Sequence, residues 1–234
     1  MLAVEGLTCG YGDIVAARDL SFSIAAGEKL AFLGANGAGK SSTLMTLMGL
    51  VALRAGRISI DGEDVTALPV HRRIARGMAV VPEGRRVFAD LSVRENLTVG
   101  GHVLDRAAML RGQERVYEHF PRLFERRDQL AGSLSGGEQQ MLAIGRALIS
   151  EPRLLLVDEL SLGLMPKVID DCYAVLERLS ADGMAILFVE QNTERALAVA
   201  DRCCILEAGN LVWQGAAAAA RDDPALTAAL LGQD

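Results

Sequence analysis

The segment "GANGAGKSS", residues 34–42, constrains the fold of this chain more than any other feature of its sequence. It directly follows the apolar run "KLAFL" and directly precedes "TLMTLMGL", which predicts a strand, a glycine-rich loop and a helix in succession. Gly34, Gly39, Lys40 and Ser41 match the spacing G-x-x-x-x-G-K-[ST]. In such a loop, backbone N–H groups wrap around phosphate oxygens, and the following helix presents its positive N-terminus. The motif therefore predicts a nucleotide site, with Lys40 at the β- and γ-phosphates and the Ser41 hydroxyl on Mg²⁺.

A second apolar run, "LLLV", ends in two carboxylates, Asp158 and Glu159. Open α/β folds bind their ligands at the carboxyl edge of the parallel sheet, so both side chains are expected beside the phosphate loop. We expect Asp158 to hold Mg²⁺, mainly through water, and Glu159 to polarise the attacking water or accept its proton. Many strands end in Asp-Glu, but after a phosphate loop the pair indicates phosphate hydrolysis.

The spacing of apolar runs predicts an α/β fold with a mainly parallel sheet. Several runs are continuously apolar, as in strands buried on both faces; the predicted strands are 29–34, 77–82, 153–158, 184–189 and 202–207. More alternating stretches at 2–11, 17–24 and 57–62 predict a smaller antiparallel sheet beside the main one. Near the end, "LEAGNLVWQG" predicts a hairpin turning at Gly209–Asn210, followed by a helix broken or restarted at Pro224.

Residues 88–150 contain no convincing strand and are predicted to form a helical insertion. Ser92 with Glu95, and Ser135 with Glu138, have the spacing of capping boxes that open helices. The second box is followed by Gly136 at the positive end of its helix, so exposed backbone N–H groups form an anion site. This site has no obvious anion within its own subunit.

Composition excludes several functional classes. The 234 residues carry a net charge of −6, which argues against general nucleic-acid binding because that requires a basic face. No apolar run approaches the ~20 residues needed to span a bilayer, and the N-terminus lacks the pattern of a signal peptide, so we expect a cytoplasmic protein. The four cysteines lack metal-ligand spacing and are expected to be small buried hydrophobes.

The motif "LSGGEQQ" at 134–140 indicates the family. With the phosphate loop and "LLLVDE", in this order, it resembles the ATP-binding cassette (ABC) ATPases over essentially the whole chain. The resemblance implies a single domain, 1–234, with a P-loop NTPase core. That core would comprise 1–87 and 151–234 and include an N-terminal antiparallel β subdomain, while 88–150 would be the inserted helical signature subdomain.

The resemblance also implies a head-to-tail dimer that encloses two ATP molecules with Mg²⁺. The signature residues of one subunit would meet the γ-phosphate held by the other, and an aromatic residue would stack on adenine. The implied nucleotide-binding residues are Tyr11, Gly34, Asn36, Gly37, Ala38, Gly39, Lys40, Ser41, Ser42, Ser135, Gly136, Gly137 and Gln139. Ser41, Glu83 and Asp158 would bind the metal, and Glu159 and Gln191 would be catalytic.

Three positions depart from the general family pattern. Leu160 replaces a proline, Glu83 replaces a glutamine, and Gln191 replaces the histidine that contacts the γ-phosphate. The combination of "VPEGRRVF" and "VEQN" resembles one branch, the LivF-type ATPases of bacterial branched-chain amino acid importers. This resemblance implies two membrane permease subunits, a second ABC ATPase or a second copy of this chain, and indirectly a periplasmic binding protein. The subunit would lie peripherally at the cytoplasmic face of the inner membrane.

Two further hypotheses concern turnover and docking. Gln191 can donate a hydrogen bond but carries no charge, so its site is expected to turn over slowly beside a partner that carries histidine. Val87, Phe88 and Leu91 are candidates for an apolar permease-docking patch. Arg72, Arg73 and Arg76 are expected to form a solvated face. A contact with a membrane protein or a lipid headgroup is the alternative.

The sequence is also compatible with other functions. Related importers carry urea, amides or small aromatic acids, and a soluble ABC ATPase acting in cofactor assembly is a further alternative. An unrelated phosphate-loop kinase would leave "LSGGEQQ" unexplained.

Overall fold

The computed structural model describes residues 1–223 and 226. The predicted α/β class is confirmed, with two sheets and helices packed against them. The strands are β1 (Leu2–Tyr11), β2 (Ile14–Ile24), β3 (Lys29–Leu33), β4 (Leu53–Ile60), β5 (Glu63–Asp64), β6 (Met78–Val81), β7 (Leu154–Asp158), β8 (Ala185–Val189), β9 (Arg202–Glu207) and β10 (Asn210–Ala216). The helices are α1 (Lys40–Met48), α2 (Val70–Ile74), α3 (Val93–Gly100), α4 (Arg106–His119), α5 (Pro121–Glu125), α6 (Gly136–Leu148), α7 (Pro166–Ala181), α8 (Thr193–Val199) and α9 (Ala217–Arg221), with a 3₁₀ turn at Ala131–Ser133.

The larger sheet has the order β10-β9-β3-β8-β7-β6. The pairs among β9, β3, β8, β7 and β6 are parallel, and only β10 runs antiparallel to its neighbour β9. β7 and β8 are buried along their whole length, which explains why their sequences are continuously apolar. The terminal hairpin turns one residue earlier than predicted, at Ala208–Gly209, because Asn210 already pairs with Glu207. The predicted helix break at Pro224 lies outside the described residues.

Two hydrophobic cores cover the two faces of this sheet. Alternate residues of β7 divide between them: Leu155 and Val157 face the core shared with α6 and α7, while Leu154 and Leu156 face the core shared with α1. The second core also receives the antiparallel sheet, which has the order β2-β1-β4-β5. All four cysteines are buried free thiols, as the sequence predicts.

The segment between β6 and β7 consists mainly of helices α3 to α6. Both predicted capping boxes are present: the Ser92 hydroxyl accepts from the Glu95 N–H, and the Ser135 hydroxyl accepts from the Glu138 N–H. The one β-type contact described in this segment is an isolated bridge between Ser92 and Leu130. The second box fixes the start of α6, where the signature motif lies.

The prediction of a solvated face is wrong for Arg73, which is only 3% exposed. Its guanidinium donates to the carbonyl oxygens of Thr46 and Leu47 at the end of α1, and to those of Thr66 and Leu68. Arg73 therefore caps the helix that begins at the phosphate loop. Arg72 is exposed as predicted, and Arg76 forms an ion pair with Glu63.

No helix among the described residues is long and apolar enough to cross a membrane.

Candidate active site

The phosphate loop connects β3 to α1 and closes tightly against β2. Gly39 has a φ of 95°, and a Cβ atom built on it would lie 2.3 Å from the carbonyl oxygen of Ala16. Only glycine fits this position, because any side chain would be both strained and in collision with backbone. Gly37 also has a positive φ, 81°, but nothing lies within 4 Å of its Cβ position. The open side of the loop therefore faces a free volume.

Lys40 lies at the first position of α1 and is 5% exposed. Its ammonium group donates to the carbonyl oxygens of Gly34, at 2.7 Å, and Ala35, at 2.9 Å. Burial lowers the pKa of Lys40, and the charges of Glu159 and Asp158 oppose that shift. Among the described residues, the hydrogen-bond partners of this buried cation are carbonyl oxygens, so it is well suited to bind an anion such as a phosphate.

Asp158 ends β7 and accepts a hydrogen bond of 2.7 Å from the hydroxyl of Ser41. Burial raises the pKa of Asp158, and the charges of Glu83 and Glu159 add to this shift, whereas the Ser41 hydrogen bond opposes it. A divalent cation would offset the electrostatic repulsion between these carboxylates. Among the described residues, no group of three Asp, Glu, His or Cys side chains forms a metal cage. The hydroxyl and carboxylate oxygens therefore fit Mg²⁺ bound jointly with phosphate oxygens.

Glu159 and Gln191 follow the neighbouring strands β7 and β8 and contact each other. The side-chain amide of Gln191 donates to Glu159 Oε1 at 2.5 Å. The backbone of Glu159 has a φ of 51°, and its N–H donates to the Val189 carbonyl at 3.1 Å. A glutamate in the left-handed region costs about 1 kcal/mol or more, so the surrounding contacts hold this carboxylate in place.

These side chains surround one cavity of about 320 Å³. The cavity is lined by Ala16, Asn36, Gly37, Gly39, Lys40, Ser41, Ser42, Glu83, Glu159 and Gln191. The sequence missed Ala16, because its contact with the loop depends on the packing of β2, which no local motif encodes. Gly34, Ala38 and Asp158 lie outside this lining, and Tyr11 is 56% exposed at the end of β1.

None of the four signature residues lines this cavity. Ser135 caps α6, a Cβ atom on Gly136 would lie 3.1 Å from the Arg85 guanidinium, and Gly137 packs against Val168. The Gln139 side chain turns back to the carbonyl oxygens of Ala131 and Leu134. Within one chain the structure therefore brings together the phosphate loop and the carboxylates, but not the predicted anion site at α6.

Comparison with known proteins agrees with this arrangement. Residues 17–161 match the ABC transporter family. The chain is 46% identical over 232 residues to the high-affinity branched-chain amino acid transport ATP-binding protein BraG of Pseudomonas aeruginosa, covering 99% of this chain and 100% of that protein. It is 34% identical to the probable branched-chain amino acid transport ATP-binding protein LivF of Archaeoglobus fulgidus, covering 93% and 92%.

A solved structure of an ATP-binding subunit of an ABC transporter superposes with a TM-score of 0.84. Its sequence is 29% identical, and the match covers 100% of this chain and 97% of that chain. The fold, the order of the motifs and the similar proteins therefore all indicate the same family. This protein belongs to the ABC transporter family and is an ATP-hydrolysing ATPase subunit of that family.

Proposed function

We propose that this subunit is the ATP-hydrolysing motor of a bacterial importer for branched-chain amino acids. The observation that carries the proposal is the 46% identity to BraG over nearly the full length of both chains. The motor would lie at the cytoplasmic face of the membrane and bind two permease subunits. Its ATPase partner would be a second ABC ATPase or another copy of this chain, and a periplasmic binding protein would deliver the substrate.

The cavity supports a specific division of roles. The backbone N–H groups of the phosphate loop and Lys40 would bind the phosphates, and Ser41, Asp158 and Glu83 would hold Mg²⁺ directly or through water. The bound metal would neutralise phosphate charge. Glu159 would accept a proton from the attacking water, because its carboxylate lines the cavity and can only accept hydrogen bonds when ionised.

The second half of the site would come from the partner. Ser135, Gly136 and Gly137 open α6, whose N-terminus is suited to bind an anion, yet they do not line the cavity of their own chain. A head-to-tail dimer would place these residues on the γ-phosphate bound by the partner. ATP binding would then close the dimer, and hydrolysis would open it.

The hydrogen bond between Gln191 and Glu159 supports the hypothesis of unequal sites. Gln191 orients the carboxylate but brings no positive charge to the γ-phosphate. Replacing Gln191 with histidine is expected to raise turnover roughly fivefold, since a charged donor is worth ~1 kcal/mol more than a neutral one. The measurement is the steady-state hydrolysis rate of the reconstituted complex. An unchanged rate, together with complete loss of activity in Glu159→Gln alone, would contradict the unequal-site hypothesis.

Permease docking is proposed at a cleft between the α/β core and the helical segment. The cleft has a volume of about 320 Å³ and is lined by Pro82, Arg85, Arg86, Val99, His102 and Arg146 among others. Phe88 is 44% exposed beside this cleft, and the Arg146 guanidinium lies 4.5 Å from the centre of its ring. The backbone of Phe88 is fixed by two hydrogen bonds to the buried Asn96 side chain. A half-exposed aromatic ring on a fixed backbone is a typical anchor for a partner helix.

Replacing Phe88 with aspartate is expected to prevent assembly with the permease while ATP binding stays intact, because a charge would have to be buried in the interface. Phe124→Asp is the matched control, since Phe124 is 50% exposed on α5 and does not line the cleft. Co-purification with the permease measures assembly. Full recovery of the permease with the Phe88 variant would show that the docking patch lies elsewhere.

The importer assignment itself is tested by purifying the tagged protein from native membranes in mild detergent. Two polytopic membrane proteins and a second cassette ATPase are expected among its partners. Recovery of soluble proteins alone would refute transport and favour a role in cofactor assembly. A binding protein specific for urea, amides or aromatic acids in the same complex would correct the substrate but retain the motor.

A further inference from the structure

Glu190 is a buried carboxylate that has no role in the proposed hydrolysis mechanism. It lies between β8 and Gln191 and is only 1% exposed. An ionised carboxylate is costly to bury unless it is hydrogen-bonded, so a group of this kind at the edge of an active site requires an explanation.

Three donors converge on Glu190, and all come from the chain between β7 and the middle of α7. Oε1 accepts from the backbone N–H of Ser161, at 3.1 Å, and from the hydroxyl of Tyr173, at 2.9 Å. Oε2 accepts from the Ser161 hydroxyl at 2.7 Å. Burial, reinforced by the charge of Glu190, raises the pKa of Tyr173, so its hydroxyl stays protonated and able to donate.

The loop held by these bonds has two distinct sides. We call residues 160–165, between Glu159 and α7, the interface loop. On its inner side Leu160 is fully buried and Ser161 binds Glu190. On its outer side Leu162 and Met165 are 52% and 72% exposed. The inner side of this loop is held by hydrogen bonds, and two large apolar side chains on its outer side face solvent. This arrangement indicates a surface that another subunit covers.

Glu190 and Gln191 therefore make two adjacent links between the ends of β7 and β8. Glu190 binds the interface loop on the buried side, and Gln191 binds Glu159 on the side of the cavity. A shift of the interface loop would move Ser161, and the hydrogen bonds between Ser161 and Glu190 would transmit the shift to the adjacent residue, Gln191. Such a displacement is expected to change the 2.5 Å contact between Gln191 and Glu159.

We propose that Glu190 is a positioning residue: it links the interface loop to Gln191, so that an interface loop held by the partner subunit keeps Glu159 aligned. This inference rests on the proposed roles of Glu159 and Gln191. Glu190 would affect the hydrolysis step and not the binding of ATP, because neither the Glu190 side chain nor its donors Ser161 and Tyr173 line the nucleotide cavity.

Replacing Glu190 with alanine is expected to lower kcat about tenfold, since small misplacement of a catalytic group has effects of this size or larger. The dissociation constant for ATP should change less than twofold. Glu190→Gln should rescue most of the activity. Its oxygen can accept from Tyr173 and the Ser161 N–H, while its amide nitrogen donates to the Ser161 hydroxyl, which can rotate to accept.

The decisive readout is a double-mutant cycle with Gln191→Ala. It is measured as ATP hydrolysis by the full-length chain in a complex whose partner ATPase is inactivated, so that only the site of this chain contributes. If Glu190 acts through Gln191, its removal should cause little further loss when Gln191 is already alanine. Fully additive losses, or wild-type kcat in Glu190→Ala, would overturn the proposal. Should Glu190→Ala fail to fold, Tyr173→Phe gives the same test, with an expected loss of about threefold.

Two controls separate the possible failures. Tyr117→Phe removes the hydroxyl of another partly buried tyrosine, which has no hydrogen-bond partner among the described residues, and should leave kcat unchanged. Glu159→Gln is measured in the same preparation. Retained hydrolysis in that variant would refute the proposed chemistry, whereas its loss beside a normal Glu190→Ala would refute only the positioning role.

Discussion

Replacing Glu159 with glutamine is expected to reduce ATP hydrolysis at the site of this chain at least 100-fold while ATP still binds. The partner ATPase is inactivated in this measurement, because the unequal-site hypothesis assigns it the faster turnover. The amide keeps the size of the side chain and its contact with Gln191, but it cannot accept a proton from water, and general base catalysis contributes 100-fold to 10,000-fold. Single-turnover hydrolysis with radiolabelled ATP measures the chemical step, and equilibrium binding measures the affinity. Because the variant binds ATP without consuming it, it is also expected to accumulate the closed dimer, which size-exclusion chromatography detects.

Asp223→Asn is the matched control for the loss of a carboxylate, since residue 223 follows α9 and does not line the nucleotide cavity. Hydrolysis by Glu159→Gln within tenfold of the wild-type rate would exclude Glu159 as the base. In that case Asp158 or Glu83 would have to supply the acceptor, and the division of roles proposed above would be wrong.

Replacing Gly136 with aspartate is expected to abolish hydrolysis in the complex without weakening ATP binding to the phosphate loop of the same chain. The new carboxylate would lie at the N-terminus of α6, where it repels the γ-phosphate of the partner's ATP. Loss of one electrostatic contact to a developing charge costs about 100-fold or more. The fold should tolerate the change, because the nearest atoms to the new Cβ belong to the flexible Arg85 side chain, and a negative charge at a helix N-terminus is stabilising.

Gly136→Ala is the conservative comparison and should retain most of the activity. Thermal unfolding verifies that both variants fold, and equilibrium binding of ATP to the isolated variants tests the phosphate loop directly. If Gly136→Asp weakens ATP binding to its own chain as strongly as it reduces hydrolysis, the signature motif acts within one subunit, and the head-to-tail arrangement is wrong.

The sequence predicted the strands of the larger sheet within one or two residues, because strands buried on both faces have continuous apolar runs. It was less successful for the antiparallel sheet. β4 begins at Leu53, four residues before the predicted start at 57, since its first half is largely exposed and carries no apolar pattern. β2 begins at Ile14 rather than 17, and its first three residues are apolar but not buried. Pairing with β1 defines both extensions, and no local pattern encodes such pairing.

Much of the candidate site was predictable because the phosphate loop is a local motif, whose geometry depends on adjacent residues. Contacts between segments that are distant in sequence could not be predicted in this way. Arg73 looked like one of three solvated arginines, yet the packing of α2 against the end of α1 buries it. Glu190 looked like an ordinary strand end, and its role depends on Ser161 and Tyr173, 29 and 17 residues away.

ATP hydrolysis by this chain is proposed to drive the import of branched-chain amino acids. The most direct test measures uptake of radiolabelled leucine in cells that lack the chain and express either the wild type or Glu159→Gln. We predict that uptake is lost without the chain, restored by the wild type and not restored by Glu159→Gln, while urea uptake is unaffected throughout. Leucine uptake that is the same in all of these cells would contradict the claim.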